Sequence, residues 1–361
     1  MKEIPIISEG KTISRILTGR RVADAAGLCC GDIFLVYDRA VEPLAEALEK
    51  ALEQSGDCRF HGKMALDASE SGKSLETVAH ICRWLLETGA DRRALLVALG
   101  GGITTDMAGF AASIYKRGIR FAYIPTTLLS QVDAAIGGKT GVNFLDLKNM
   151  IGVIRQPEWT WVCPEPLETL DPRDFRSGAA EMLKTFILGD AAHYGLAVAT
   201  LSALFRKECD LPGREAELEE LIAAAAAVKA AIVGRDPFEK GERRKLNLGH
   251  TFAHGLETEA RRTGLDLTHG EAVAIGTVLA ARLSERLGIA EKGLAAALEA
   301  DFRACGLPTE SPFALDSLGA AMAKDKKAEG AIVHFILPAA VGAVVEKDLT
   351  VAQALEKLKE S

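Results

Sequence analysis

The stretch from Leu95 to Asn149 constrains the fold more than any other part of the sequence. Two aliphatic or β-branched runs, Leu95 to Leu99 and Ile119 to Ile124, lead directly into glycines and into Pro-Thr-Thr. A helix-like segment lies between them, so the pattern predicts a β-loop-α-β unit. Parallel sheets bind ligands in the loops at the carboxyl ends of their strands, and these loops are rich in small, cationic and hydrogen-bonding residues. The stretch therefore predicts a phosphate- and nucleotide-binding surface.

The periodicity of the remaining sequence predicts an α/β domain followed by a helical one. A chain of 361 residues also exceeds the usual size of a single core. Strand-type patterning stops near Pro172, which places a mostly parallel, Rossmann-like nucleotide-binding domain at residues 1–172 and an α-helical domain at 173–361. The other predicted elements are strands at Ile33–Tyr37 and Trp159–Cys163, helices at Val41–Glu53, Leu75–Thr88, Glu215–Val233 and Val351–Lys359, and a strand or buried helical turn at Ala331–Leu337.

Composition excludes several classes of protein. The formal charge of −7 argues against non-specific binding to nucleic acid, although anionic small substrates remain compatible with it. The seven cysteines are odd in number and lack C-x-x-C spacing, which favours reduced thiols in the cytoplasm. We find neither an apolar leader near the amino terminus nor an uninterrupted apolar window of about 18 residues, so we expect no secretion and no membrane span.

Two familiar phosphate-binding motifs are approached but not matched. Gly-Lys-Thr at 138–140 resembles the end of a Walker A loop, but Asp133 occupies the position of its first glycine and no strand precedes the segment directly. Gly100 and Gly102 fit the start of a G-x-G-x-x-G fingerprint, whereas Thr105 takes the place of its last glycine. Neither motif alone identifies the ligand.

Three of the seven histidines cluster in N-L-G-H-T-F-A-H and T-H-G-E. His250 and His254 are four residues apart and therefore share a helix face. A zincin protease is a poor interpretation, because Thr251 stands where the catalytic glutamate would be. Two histidines and one carboxylate are the usual ligands of a catalytic zinc, and Glu181 is the candidate carboxylate. The alternative for each histidine is a solvated or capping side chain.

Cationic side chains interrupt otherwise apolar helical segments of the carboxyl-terminal half. Lys229 either extends its ammonium to solvent or binds an anion, and for this residue alone the first alternative is favoured. Arg243, Asn247, His250 and His254 fall at near-helical intervals, which would align them toward one cavity, with a structural salt bridge as the alternative for Arg243.

Taken together, collinear motifs resemble those of the 3-dehydroquinate synthase family of sugar-phosphate cyclases. The matching runs keep the family's order over most of residues 32 to 337. They are G-G-G-I-T-T-D-M-A-G-F, Y-K-R-G, P-T-T-L-L-S-Q-V-D-A-A-I-G-G-K-T-G-V-N, K-N-M-I-G, A-E-M-L-K, N-L-G-H-T-F-A-H, H-G-E-A-V-A-I-G and D-K-K.

The resemblance implies a dehydroquinate synthase-like fold and three groups of site residues. The metal ligands, normally for zinc with cobalt as an alternative, would be Glu181, His250 and His269. The NAD site would comprise Asp38, Glu70, Lys73, Gly101, Gly102, Asp106, Thr126, Thr127, Lys139, Lys148 and Thr169. The substrate set would comprise Asp133, Lys139, Lys148, Asn149, Lys184, Lys229, Arg243, Asn247, His254 and Lys326, with Arg117 supplied across a homodimer interface.

The activity that the resemblance implies is conversion of 3-deoxy-D-arabino-heptulosonate 7-phosphate to 3-dehydroquinate and phosphate in the shikimate route to aromatic amino acids. The hydride passes to NAD+ and returns, so the cofactor is not consumed. Three alternatives remain at this point: a cyclase making another carbocycle, a metal-dependent polyol dehydrogenase that releases NADH, and a non-catalytic nucleotide-binding protein. The presence of Glu181, His250 and His269 argues against the last of these.

Overall fold

The fold is described from a computed structural model, which covers residues 1–145, 147–206, 211–325 and 332–360. The chain forms two compact units. The first contains Met1–Leu170 together with Leu218–Phe238, and the second contains Asp171–Glu217 together with Glu239–Ser361. None of the helices in the described ranges is both long enough and apolar enough to cross a membrane.

A seven-stranded sheet forms the centre of the first unit. Its strand order is β1-β2-β9-β6-β5-β3-β4, and every pairing is parallel except that of β1 with β2. Strands β7 and β8 form a separate antiparallel hairpin. The strands are β1 Glu3–Ser8, β2 Lys11–Thr18, β3 Gly31–Asp38, β4 Cys58–Leu66, β5 Leu95–Gly100, β6 Arg120–Pro125, β7 Lys139–Phe144, β8 Leu147–Ile154 and β9 Trp159–Val162.

Helices cover both faces of this sheet, because the central strands bury side chains on both sides. On one face α1 (Glu42–Gln54) packs its Leu48 and Leu52 against odd-numbered strand residues such as Leu35 and Val97. On the other face α2 (Leu75–Glu87) and α3 (Gly102–Ile114) pack against even-numbered residues such as Phe34. The sheet is thus the middle layer of an α/β sandwich.

The strand order changes direction between β3 and β5. From β3 the chain moves outward to β4, then returns to β5 on the other side of β3 and continues to β6. The carboxyl ends of two such strands border a crevice, and in open parallel sheets this is where ligands bind. Asp38 and Gly100 end these two strands, so the topology places the predicted nucleotide loops at this point.

The second unit is mainly helical, with one antiparallel hairpin formed by β10 and β11. Helix α6 begins in this unit, and its residues from Leu218 onward belong to the first. The elements are α4 Pro172–Gly189, α5 Ala191–Phe205, α6 Glu215–Arg235, α7 His250–Thr263, α8 His269–Arg286, α9 Leu294–Ala304, α10 Leu315–Asp325, β10 Ile332–Ala340, β11 Ala343–Thr350 and α11 Val351–Lys359.

The structure confirms the predicted helices and strands to within a few residues and decides one open alternative. The apolar run near residue 335 is a strand, β10. Gly-Lys-Thr opens strand β7 rather than a helix, which confirms that it is no Walker A loop. Strands β1, β2, β4, β7, β8 and β11 are not among the predicted elements. The division of the chain into two domains, residues 1–172 and 173–361, stays a prediction.

Helices α4 and α8 approach each other closely at Gly270. A Cβ atom at this position would lie 2.2 Å from the carbonyl oxygen of Ser177, which is closer than any packing distance between such atoms. Ser177 lies one turn before Glu181, and Gly270 follows His269. This contact therefore sets the spacing between the helices that carry two of the predicted metal ligands.

We expect Gly270→Ala to lower the free energy of unfolding by about 1–3 kcal/mol, because the added methyl group overpacks the α4–α8 contact. Gly195→Ala in α5 is the matched control, since nothing lies within 4 Å of the Cβ position there. The control should raise stability by about 0.5–1 kcal/mol through helix propensity alone. Urea unfolding of both variants measures the difference, and equal stability of the two would contradict the close contact.

Candidate functional site

Glu181, His250 and His269 converge in the second unit. Glu181 lies in the middle of α4, and the two histidines are the first residues of α7 and α8. Glu181 Oε1 is 3.6 Å from His250 Nε2 and 3.3 Å from His269 Nε2. Both imidazoles thus present the same ring nitrogen to one carboxylate oxygen.

Local sequence fixes where the two histidine-bearing helices begin. Gly249 adopts a φ of +76°, and a Cβ there would be 2.6 Å from Thr277 Oγ1, so a glycine is required just before His250. At the start of α8, Thr268 and Glu271 form a capping box. The guanidinium of Arg173 at the start of α4 donates to both carboxylate oxygens of Glu271, at 3.1 and 2.9 Å. This bidentate bond ties α4 to the turn that carries His269.

The tautomer of His250 is set by a backbone carbonyl. His250 Nδ1 lies 3.1 Å from Leu248 O, which can only accept a hydrogen bond. The proton of a neutral imidazole is therefore on Nδ1, and the lone pair of Nε2 faces Glu181. This is the arrangement that a metal-binding histidine needs.

The pKa values of the side chains in this cluster depend strongly on one another. Burial alone would raise the pKa of Glu181, but Lys184, whose Nζ is 2.5 Å from Oε2, and the two imidazoles hold it well below its usual range. Burial and the Lys184 ammonium lower the pKa of His250 to about 3. Burial would also lower the pKa of His269, but Glu181 and Glu257 raise it to about 10. The carboxylate is thus ionised and one imidazole is already neutral at pH 7.

The three side chains fit a zinc ion. Bonds of about 2.0–2.1 Å in tetrahedral geometry separate ligand atoms by about 3.3 Å, close to the distances of 3.3 and 3.6 Å found here. The Glu181 side chain has no exposed surface, and neither of its oxygens accepts a hydrogen bond of normal geometry. The Lys184 ammonium already balances the Oε2 side of this buried carboxylate, so Oε1, which faces the two imidazoles, is the oxygen available to a metal ion.

Beside this cluster lies a cavity of about 180 Å³. Asn247, His250 and His254 line it, as their spacing predicts. The substrate role of Arg243 stays a prediction, but Arg243 does not line this cavity: its side chain is buried, and Arg244 lines the cavity instead. The reason is that residues 242–247 form a 3-10 helix and Gly249 interrupts the path into α7, so the four residues do not follow one α-helical face.

In the first unit the predicted NAD residues gather around Lys73. Its Nζ donates to Asp106 Oδ2 and to Asn149 Oδ1, both at 2.5 Å, although the side chain is almost fully buried. Burial raises the pKa of Asp106 to about 6, and Lys73 opposes part of that rise. Glu70 is also tied to this region, because its Oε1 accepts from Asn143 Nδ2 at 2.9 Å.

The glycine loop after β5 is tightly packed at the positions where side chains would begin. A Cβ at Gly101 would lie 3.1 Å from Thr127 Cγ2, and one at Gly102 would lie 3.1 Å from the Ala134 methyl group. Thr126 N donates to Gly100 O at 3.0 Å, which joins the loops that follow β5 and β6. Asp38 Oδ1 accepts from Ala40 N at 3.0 Å, so this side chain caps the short turn that follows β3.

The interpretation of Lys229 as a solvent-extended side chain is wrong. Its side chain is only 7% exposed, and its Nζ donates to Asp133 Oδ1 at 2.5 Å and to Asp133 O at 2.7 Å. The apolar helix surface around Lys229 hides this partner from sequence inspection, because Asp133 is 96 residues away. The buried Lys229 and the partly exposed Asp133 thus form an ion pair in the first unit.

Other predicted residues lie on the surface of the first unit. Lys139 and Lys148 are exposed on the β7–β8 hairpin, Thr169 is exposed after β9, and Arg117 is exposed in the turn after α3. Lys326 lies outside the described residues, so the choice among the lysines of Asp325-Lys326-Lys327 stays a prediction.

Two features of the second unit are missing from the sequence interpretation. Glu257 Oε1 lies 3.5 Å from His269 Nδ1, and its position seven residues after His250 on one helix face is a signal that could have identified it. His334, Glu346 and Asp348 form a second group of metal-binding type on the β10–β11 hairpin. This second group is exposed, and Arg244 already pairs with Glu346 at 3.0 Å, so it is a surface ion-pair cluster.

Comparison with known proteins identifies the family. The family model described as 3-dehydroquinate synthase N-terminal matches residues 63–177, and the one described as 3-dehydroquinate synthase C-terminal matches residues 178–328. The 3-dehydroquinate synthase of Nitrobacter hamburgensis is 42% identical over 300 residues, which cover 80% of this chain and 76% of that protein. That of Agrobacterium fabrum is 40% identical over 345 residues, covering 92% and 85%.

A solved structure resembles the chain over almost its whole length. It is ValA, the 2-epi-5-epi-valiolone synthase of Streptomyces hygroscopicus subsp. jinggangensis 5008, with NAD+ and Zn2+ bound. The TM-score is 0.84 at 29% identity, and the match covers 96% of this chain and 97% of that one. With both family models matched in sequence order, the chain belongs to the 3-dehydroquinate synthase family.

Proposed function

We propose that this protein is a 3-dehydroquinate synthase, which converts 3-deoxy-D-arabino-heptulosonate 7-phosphate to 3-dehydroquinate and inorganic phosphate. The observation that carries the proposal is the convergence of Glu181 with the Nε2 atoms of His250 and His269 in a chain of this family. In reaction class this is a carbon–oxygen lyase that borrows a hydride, and we place it in the cytoplasm.

We propose that NAD binds in the crevice between the carboxyl ends of β3 and β5. Asp38 ends β3, where a carboxylate can hold ribose hydroxyls, and the loop at Gly101 and Gly102 allows close approach of a pyrophosphate to the amino end of α3. The buried Lys73 ammonium, which donates to Asp106 and to the exposed Asn149, supports the adjacent loop. The remaining residues proposed for NAD are Glu70, Thr126, Thr127, Lys139, Lys148 and Thr169.

Glu181, His250 and His269 would hold zinc, or cobalt, which when bound polarises a coordinated hydroxyl and so acidifies it. Lys184 lies against Glu181 and donates to Leu246 O at 3.0 Å, so its ammonium is fixed where it can help to orient two adjacent hydroxyl groups of the substrate. The ion pair of Asp133 with Lys229 offers a second fixed donor and acceptor. We assign phosphate binding to Lys139, Asn149, Asn247, His254 and Arg117, and the carboxylate and hydroxyl side to Lys229 and Arg243. Lys326 belongs to the same substrate set.

The direct test uses zinc-loaded protein, the heptulosonate phosphate and NAD+ at a tenth of the substrate concentration. We expect phosphate and 3-dehydroquinate to form in equal amounts, with many turnovers for each NAD+ and no accumulation of NADH. Glu181→Gln should lower the rate by more than about 100-fold, because loss of a ligand exceeds the 10- to 100-fold effect of outer partners. Absence of phosphate release would overturn the proposal, and NADH formed in proportion to substrate would indicate a polyol dehydrogenase.

The proposal includes a homodimer in which Arg117 reaches the partner's site. The β7–β8 hairpin exposes apolar side chains, including Phe144 at 42%, Leu147 at 51% and Met150 at 54% exposure, and surfaces of this kind favour association. The turn that carries Arg117 lies beside this hairpin, since a Cβ at Gly118 would be 3.1 Å from Arg155 Nη1, just after β8. Arg117 itself has a φ of +68°, a strained conformation that is typical of functional positions.

Subunit complementation tests the shared site. Arg117→Ala and His250→Ala should each inactivate a homodimer, whereas a doubly tagged heterodimer of the two should regain about half of the wild-type activity, because one of its two sites is intact. Lys116→Ala is the matched control: Lys116 shares the turn, but its Nζ donates to Ala90 O of its own chain at 2.6 Å. This control should leave activity near wild type. A heterodimer as inactive as its parents would contradict the shared site.

A further inference from the structure

Glu257 lies against the side of His269 that faces away from Glu181. It belongs to α7, two helical turns after His250, and its side chain is 11% exposed. Its Oε1 is 3.5 Å from His269 Nδ1, while His269 Nε2 is 3.3 Å from Glu181 Oε1. The two carboxylates therefore face opposite nitrogens of one imidazole ring.

The outer partners of the two histidines differ in charge. His250 Nδ1 faces a neutral carbonyl, that of Leu248, at 3.1 Å. His269 Nδ1 faces an anionic carboxylate. A carboxylate outer partner fixes ring orientation and tautomer, and it makes the other nitrogen a stronger electron donor to a cation. The arrangement consequently gives the site two imidazoles of unequal donor strength.

We propose that Glu257 is a positioning residue of the metal site. It holds the Nδ1–H of His269 so that Nε2 faces the cation, and its charge strengthens the bond that His269 makes. The inference rests on the proposed function in that Glu181, His250 and His269 bind a metal ion, but it does not depend on the identity of the substrate.

Glu257 does not act as a fourth ligand in this arrangement. Nδ1 and Nε2 lie on opposite edges of an imidazole, so a cation on the Nε2 side is beyond the reach of a carboxylate in contact with Nδ1. Consistently, Glu257 is absent from the set of described side chains whose ligand atoms converge with Glu181. Its effect on the metal passes through His269.

The test measures metal affinity directly, by competition for Zn2+ against a chromogenic chelator, together with the visible absorption of the Co2+-substituted protein. Glu257→Ala should weaken Zn2+ binding by about 10- to 100-fold. Glu257→Gln keeps an acceptor for Nδ1–H and loses only the charge, so it should lie between the alanine variant and wild type. Glu257→Ala should change the Co2+ spectrum most, because the ring that binds the ion is no longer held in one orientation. Glu257→Gln should change it less, because the ring keeps its acceptor and only its donor strength falls.

Glu259→Gln is the matched control. Glu259 lies on the same helix, is similarly buried and pairs with Arg262 at 2.8 Å. It should leave Zn2+ affinity and the Co2+ spectrum within about twofold of wild type. Zn2+ affinity that is unchanged in both Glu257 variants, or lowered equally by Glu259→Gln, would overturn the inference. Neither readout uses substrate. If the synthase assay failed while the Glu257 variants weakened Zn2+ binding, the proposed function would be wrong and this inference would stand.

Discussion

The structure of the second unit depends on one buried anion, the carboxylate of Glu181. Its side chain is fully buried in α4, between Lys184 and two imidazoles. Removing such a charge from water costs several kcal/mol unless cations replace the lost solvation. Three sources of positive charge can offset this cost for Glu181. They are the Lys184 ammonium, the amino termini of the two helices that begin with His250 and His269, and a metal ion. The carboxylate therefore requires α4, α7 and α8 to meet at one point.

Contacts around Glu181 fix the positions of α4, α7 and α8 relative to one another. Gly270 permits close contact of α4 with α8, Gly249 permits the turn into α7, and Arg173 joins the start of α4 to the cap of α8 through Glu271. Outer partners of different charge then hold the two histidine rings. In the first unit the same principle recurs on a smaller scale, where the buried Lys73 and Lys229 are each matched by a nearby aspartate.

Much of this could be predicted from sequence because its signals are local. The apolar runs that became β3, β5 and β6 are buried on both faces, and α1 and α2 have clear amphipathic periodicity. Strand β8 carried no such signal, since nearly every residue in it is exposed. The resemblance of short motifs to the family implies Glu181, His250 and His269 as a group, and the structure brings these three side chains together, while their role as metal ligands stays a prediction. Long-range pairs such as Lys229 with Asp133 were not accessible, because side-chain spacing along one helix says nothing about a partner 96 residues away.

The central claim is that Glu181 and the Nε2 atoms of His250 and His269 bind one metal ion, and a crystal structure of the zinc-loaded protein with anomalous diffraction at the zinc edge tests it most directly. The account predicts one strong anomalous peak within about 2.0–2.2 Å of Glu181 Oε1 and of both nitrogens, with an open position toward the cavity lined by Asn247 and His254. A zinc peak found only at the exposed group of His334, Glu346 and Asp348, with Glu181 bound to Lys184 alone, would contradict it.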